Sequence, residues 1–188
     1  MSALVSEIND ALLGTGAIPR DKVVRWIEVA SDLRTLCKLY KLTGEGYRRI
    51  QPELGIDATC GLIQRYLLQC IREDITTDPD IENRYEAAQI LHTWFSQLAR
   101  RSGTSAVLTT ATRAITELFL VSNEDVRNAI ETGFLEHALE TAILRPYFEH
   151  WALDNTLRPA WERALRWGKA HPDYTWGLAE QLRKLEKK

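Results

Sequence analysis

"VVRWIEVASDLRTLCKLY", residues 23–40, is the stretch whose reading decides the fold class. Its Val23, Trp26, Ile27, Ala30, Leu33, Cys37 and Tyr40 recur at steps of three and four. That spacing lines one face of an α-helix, whereas a half-buried strand alternates with period two. Pro19 stands just ahead, in a first turn where a missing N–H costs little. The spacing predicts one helix through the whole stretch.

The same period continues outward. "KLTGEGYRRIQPELGID", residues 41–57, breaks it with Gly44, Gly46, Gly55 and Pro52 and reads as a long connector. Asp57 is then the expected cap of a helix striped by Cys60, Ile63, Leu67, Cys70 and Ile71. After the acidic link "EDITTDPDIE", Asp78 and Pro79 signal the next start. Tyr85, Ala88, Leu91, Phe95 and Leu98 form the following stripe, closed by Arg100, Arg101 and Gly103. Val107, Ala111, Ala114, Ile115 and Leu118 form another, on a helix whose threonines can bond back to the preceding turn. Asn123 caps the next, and shorter helices are expected near Pro146, Pro159 and Thr175. No convincing strand pattern interrupts this series. The expectation is an all-α single domain over residues 1–188, with about eight or nine packed antiparallel helices and the short ones in 123–188.

The last third repeats itself. Leu144-Arg145-Pro146 and Leu157-Arg158-Pro159 lie thirteen residues apart, and Gly133 stands thirteen before Pro146. Each opener is followed two residues on by Leu135, Phe148 or Trp161, then by Glu136, Glu149 or Glu162. Thirteen residues are too few for a helical-hairpin repeat of ~33–47. They suffice for one short helix and its turn, so the three copies read as shared helix starts, with an acid near the positive helix end.

Composition narrows the function. An apolar fraction of 45% supports a proper core. With 24 basic against 26 acidic residues the net charge is -2, without the surplus that phosphate neutralisation demands, so nucleic acid is not an expected partner. No apolar run approaches the ~20 residues that span a bilayer. The N-terminus is amphipathic and lacks a basic n-region, so no secretory signal is read there, and a cytoplasmic location is expected. Cys37, Cys60 and Cys70 have no CxxC spacing and read as small core residues in a reducing compartment.

"NEDVRNAIETGFLEHALE", residues 123–140, resembles a segment of small, uncharacterised bacterial all-helical proteins, some with HEAT-like repeats. The resemblance spans 18 residues and implies an all-α fold. It also implies partner binding of the kind seen in immunity proteins that neutralise a toxin. It brings no catalytic residues.

Catalytic motifs are not indicated. There is no GxSxG elbow, and "TGEG" lacks the spacing and lysine of a phosphate loop. His92 sits on an apolar stripe and reads as a packed residue. His137 and Glu140 lie one turn apart, and with His150 they make the rival reading, a metal-dependent enzyme; HExxH and the paired ExxH of di-iron bundles are both missing. Aromatics stand out instead. Helical spacing puts Trp151 and Trp161 in the core and leaves Trp167 at the border of its stripe, with Tyr174 and Trp176 beside a turn. Arg145, Arg158, Arg163 and Arg166 flank these rings and make the second rival reading, nucleic-acid binding, although Glu149, Asp154, Glu162 and Asp173 offset most of their charge. The sequence therefore points to a non-enzymatic protein-binding module without cofactor or metal. Its expected anchors are Trp167, Tyr174 and Trp176, and its expected acids are Asp78, Asp80 and Glu82.

Overall fold

The opening stretch forms two helices, not one. In the computed structural model, which describes residues 3–170, α1 (Ala3–Leu13) is followed by α2 (Arg20–Val29) and α3 (Leu33–Glu45). Asp32 makes the break: its carboxylate accepts from the Thr35 backbone N–H at 3.0 Å and hydroxyl at 2.7 Å, which caps a new helix. Burial works against the charge on Asp32, but the Thr35 hydrogen bonds win and hold its carboxyl below its usual value. The carbonyls at the end of α2 are taken by Arg65, which donates to Ile27 O at 2.7 Å and also to Ala30 O. The apolar stripe survives the break because Val23, Trp26, Ile27, Ala30, Leu33 and Cys37 are all buried.

Downstream elements correct other expected boundaries. α3 runs through Gly44 to Glu45, so the connector begins only at Gly46, whose N–H bonds Leu42 O. A 3-10 turn (Tyr47–Arg49) leads into Ile50–Gln51 (β2), which pairs in parallel with Ile18–Pro19 (β1). Arg49 secures this corner by donating to Ala11 O at 2.7 Å and Gly16 O at 3.1 Å. Helix α4 (Ile56–Glu73) starts after Gly55, leaving Asp57 within the first turn rather than at the cap. Asp78 and Pro79 do not open the next helix. They form a turn in which Ile81 N–H bonds Asp78 O, and α5 (Arg84–Ala99) begins five residues later.

Beyond Arg84 come α6 (Ser105–Val121) and α7 (Glu124–Ile130), the latter capped by Asn123 as expected. A wide π turn (Glu131–Leu135) joins α7 to α8 (Glu136–Glu140) in one rod. Then follow α9 (Arg145–Phe148), α10 (His150–Leu153) and α11 (Arg158–Ala170). Glu149 is itself in the helical region, so α9 and α10 also run on as one, giving nine helical rods among the described residues. The class is all-α.

Gly133 is not a helix opener. It lies inside the π turn, where a Cβ would stand 2.8 Å from the Cβ of Ala88 on α5, and its lack of a side chain lets the two rods approach. Pro146 and Pro159 do sit in first turns, and Leu144 and Leu157 beside them are buried. Arg145 donates to Leu139 O at 2.6 Å, closing the end of α8. The doublet is thus a twice-used start in which the leucine anchors and the proline fixes the first turn.

Internal contacts group the chain into two compact units, Met1–Asn83 and Arg84–Lys188. The first has an aliphatic core in which Tyr40 stacks on Tyr66 at 4.6 Å. All three cysteines are buried there as thiols, as the sequence predicts. The second is built on rings: Phe95 meets Phe134 edge-on at 5.7 Å, Phe134 meets Phe148 at 5.4 Å, and Trp151 lies 4.9 Å from Phe119. Tyr85, expected inside, is exposed and its hydroxyl accepts from Asn128 at 2.8 Å.

Candidate functional site

The acids singled out from the sequence come together in the first unit. A cleft of about 760 Å³ opens between α1, α3 and the 78–81 turn. Val5, Leu12, Leu13 and Ile81 supply its apolar side. Two ion pairs span the other side: Lys41 Nζ to Asp80 Oδ1 at 2.6 Å, and Arg34 Nε to Asp78 Oδ2 at 3.6 Å. Lys38 reaches across to Asn9 Oδ1 at 2.7 Å, tying α3 to α1. The pairing lowers the Asp80 carboxyl and raises the Lys41 ammonium, so both stay charged over the ordinary pH range. Glu82 sits just beyond, half-buried, with its backbone N–H on the Tyr66 hydroxyl.

This pairing changes what Asp78 and Asp80 contribute. Neither is a spare negative charge for a basic partner, since each already faces a cation of its own chain. The surface they make presents both signs beside an apolar strip. Leu13, at the end of α1, is 85% exposed on the edge of that strip. The signal for Leu13 in the sequence is its place at the end of an amphipathic helix just before Gly14.

Cys37 lies against the same turn, its thiol donating to Asp80 O at 3.0 Å. Burial pushes this thiol up, and pushes Cys70 up to about 12, so neither is a ready thiolate. The Tyr66 hydroxyl lies beside both thiols, and burial raises that phenol as well. The cluster is structural and holds α3, α4 and the 78–82 tract together.

In the second unit the expected rings separate. Trp151 is fully buried and its indole N–H bonds Thr116 Oγ1 at 2.9 Å. Trp161 is half-buried rather than core, though its indole nitrogen is sealed from solvent without a partner. Trp167 is half-buried on α11, edge-on to His137 at 5.2 Å. Tyr174 and Trp176 lie outside the described residues.

The rival metal set is not assembled. His137 Nδ1 pairs with Glu140 Oε1 at 3.0 Å, whereas His150 Nε2 contacts Thr116 Oγ1 on α6 at 3.3 Å. Among the described residues no three His, Cys, Asp or Glu side chains gather as metal ligands would. The arginines proposed for nucleic acid are largely engaged. Arg145 holds carbonyls, Arg158 bonds Asn155, and Arg163 clasps Glu131 through two bonds at 2.6 and 2.7 Å. That last pair lines a cleft of about 640 Å³ between α7 and α11, and its partners lie too far apart in sequence for any local signal to have revealed it.

Among the described residues no helix is long and apolar enough to cross a membrane. Compared with known proteins, the chain matches no family model, no curated relative and no solved structure.

Proposed function

We propose that the chain is a non-enzymatic protein-binding module, an adaptor or a toxin-neutralising immunity protein, acting by occlusion in the cytoplasm. The observation that carries this reading is the cleft of the first unit: an apolar strip ending in exposed Leu13, bordered by ordered charges of both signs. Such a surface suits an amphipathic segment of another protein. Its apolar face would lie on Leu12 and Leu13, and its charges would meet Lys41, Asp80 and Arg34. The residues that bind would be preformed, since Lys38 and the two ion pairs already fix α3 against α1 and the turn.

Trp167 offers a second contact region in the Arg84–Lys188 unit, as a half-buried ring of the type that anchors interfaces. Affinity capture from source cells, comparing the native chain with Leu13→Asp and Lys41→Glu, tests the reading. A partner recovered by the native chain should disappear with both variants while their melting temperatures stay within a few degrees of it. Recovery of the same species by all three proteins removes the cleft from consideration.

A further inference from the structure

The cations of the first-unit cleft are not equally matched. Arg34 and Lys41 each face a carboxylate, on Asp78 and Asp80, while Asp32 is taken up by its own helix cap. Lys38 stands between them on α3, half-buried, and its ammonium bonds a neutral group, Asn9 Oδ1, at 2.7 Å. It feels the charge of Asp80, but that carboxylate is committed to Lys41 at 2.6 Å. No ion pair is found for Lys38 among the described residues.

An ammonium has three N–H donors, and one bond to an amide oxygen leaves most of that capacity unused. A charge drawn partly out of water is costly until an opposite charge meets it. The Asn9 bond holds the Lys38 head group across toward α1, in the cleft that Val5, Leu12 and Leu13 line on their apolar side. Glu45, also in the lining, is exposed and lies seven residues on, about 10.5 Å of helix rise. It repels a second carboxylate, so the attraction for an acid is local to Lys38.

Resting on the docking role of this cleft, we propose that its partner is an acidic amphipathic segment. A Glu or Asp of that segment meets the Lys38 ammonium, and a large apolar side chain one turn away lies on Leu12 and Leu13. The carboxylate completes the half-buried charge through a charge-assisted bond, roughly twice as strong as a neutral one. The apolar group covers Leu13, which is 85% exposed. Lys38 then supplies selectivity and the strip supplies affinity.

Selection on the full chain from a displayed library of helix-forming peptides, about 15 residues long, tests this. Peptides retained by the native chain but not by Leu13→Asp define the cleft binders. They should be enriched in Glu or Asp one turn from Leu, Phe or Trp. Lys38→Gln keeps an N–H for Asn9 and removes the charge, so it should bind them about tenfold more weakly. Lys38→Arg should keep the preference for acids. Replacing the peptide's own acid by its amide should weaken binding to the native chain by the same factor, a readout that needs no altered protein, and should add nothing on Lys38→Gln. Cleft binders without acid enrichment, or whose affinity the amide leaves unchanged, overturn the acidic partner while the docking surface stands. A library that yields no Leu13-dependent peptide overturns both.

Discussion

The two units reach an all-α arrangement by different physical means. In Arg84–Lys188 the rods close on interlocked rings, with Phe95, Phe134, Phe148 and Trp151 each fully buried. In Met1–Asn83 the core is largely aliphatic and the junctions rest on guanidinium groups on helix-end carbonyls, a device that Arg127 and Arg145 repeat in the second unit beside its rings. Arg65 closes α2, and Arg49 closes the turn after α1. Packing of rings is set by which face each helix turns inward, so it tolerates changes at junctions. A junction held by one side chain does not.

Ring removal should have the largest effect. Trp151→Ala takes away a fully buried indole and its bond to Thr116, and should cost about 3–5 kcal/mol, read by urea unfolding. A loss below about 1 kcal/mol would mean that the ring cluster does not hold the second unit.

Alkaline pH should act next, and only on the first unit. Cys70 has a folded value of about 12 against 9.0 for an ordinary thiol. Folding therefore favours the protonated thiol, and its contribution is complete below pH 9. It is lost as pH rises from there toward 12, at on the order of 1.4 kcal/mol per pKa unit. Cys37 and Tyr66 shift in the same direction. Thermal unfolding followed between pH 8 and 11 should show the first unit losing stability, and Cys70→Ala should flatten that decline. A decline of equal slope in the variant would assign it to other groups.

The smallest expected change sharpens the contrast most. Arg65→Met keeps much of the stem but leaves Ile27 O and Ala30 O without their donor, and should cost about 1–2 kcal/mol. The same exchange at Arg145 should cost less than half of that, since buried Leu144 and Phe148 still pin its corner. Equal losses measured by urea unfolding would erase the distinction between the units.

How far the sequence could be read follows the same division. The stripes Leu91–Phe95–Leu98 and Leu144–Phe148–Trp151 are visible at three- and four-residue spacing, and all six residues are buried. The break at Ala30–Asp32 was hidden because the stripe runs on through it in phase. Its causes are a local cap at Asp32 and a guanidinium 35 residues away from Ala30, and only the first leaves a mark nearby in the sequence. Gly133 looked like a helix opener because spacing alone cannot reveal Ala88 beside it. At the candidate cleft, Asp78 and Asp80 were legible as acids, but their partners Arg34 and Lys41 lie some forty residues earlier, and with them lay the mixed character of the surface.

Site-specific photo-crosslinking in source cells tests the central claim most directly. A diazirine amino acid placed at Leu13 is compared with the same group at Leu153, which is 86% exposed in the other unit. The account predicts a discrete protein adduct from position 13 that is lost when Lys41→Glu is added, and no such adduct from position 153. Identical adducts from both positions, or none from position 13, would contradict a binding role for the cleft.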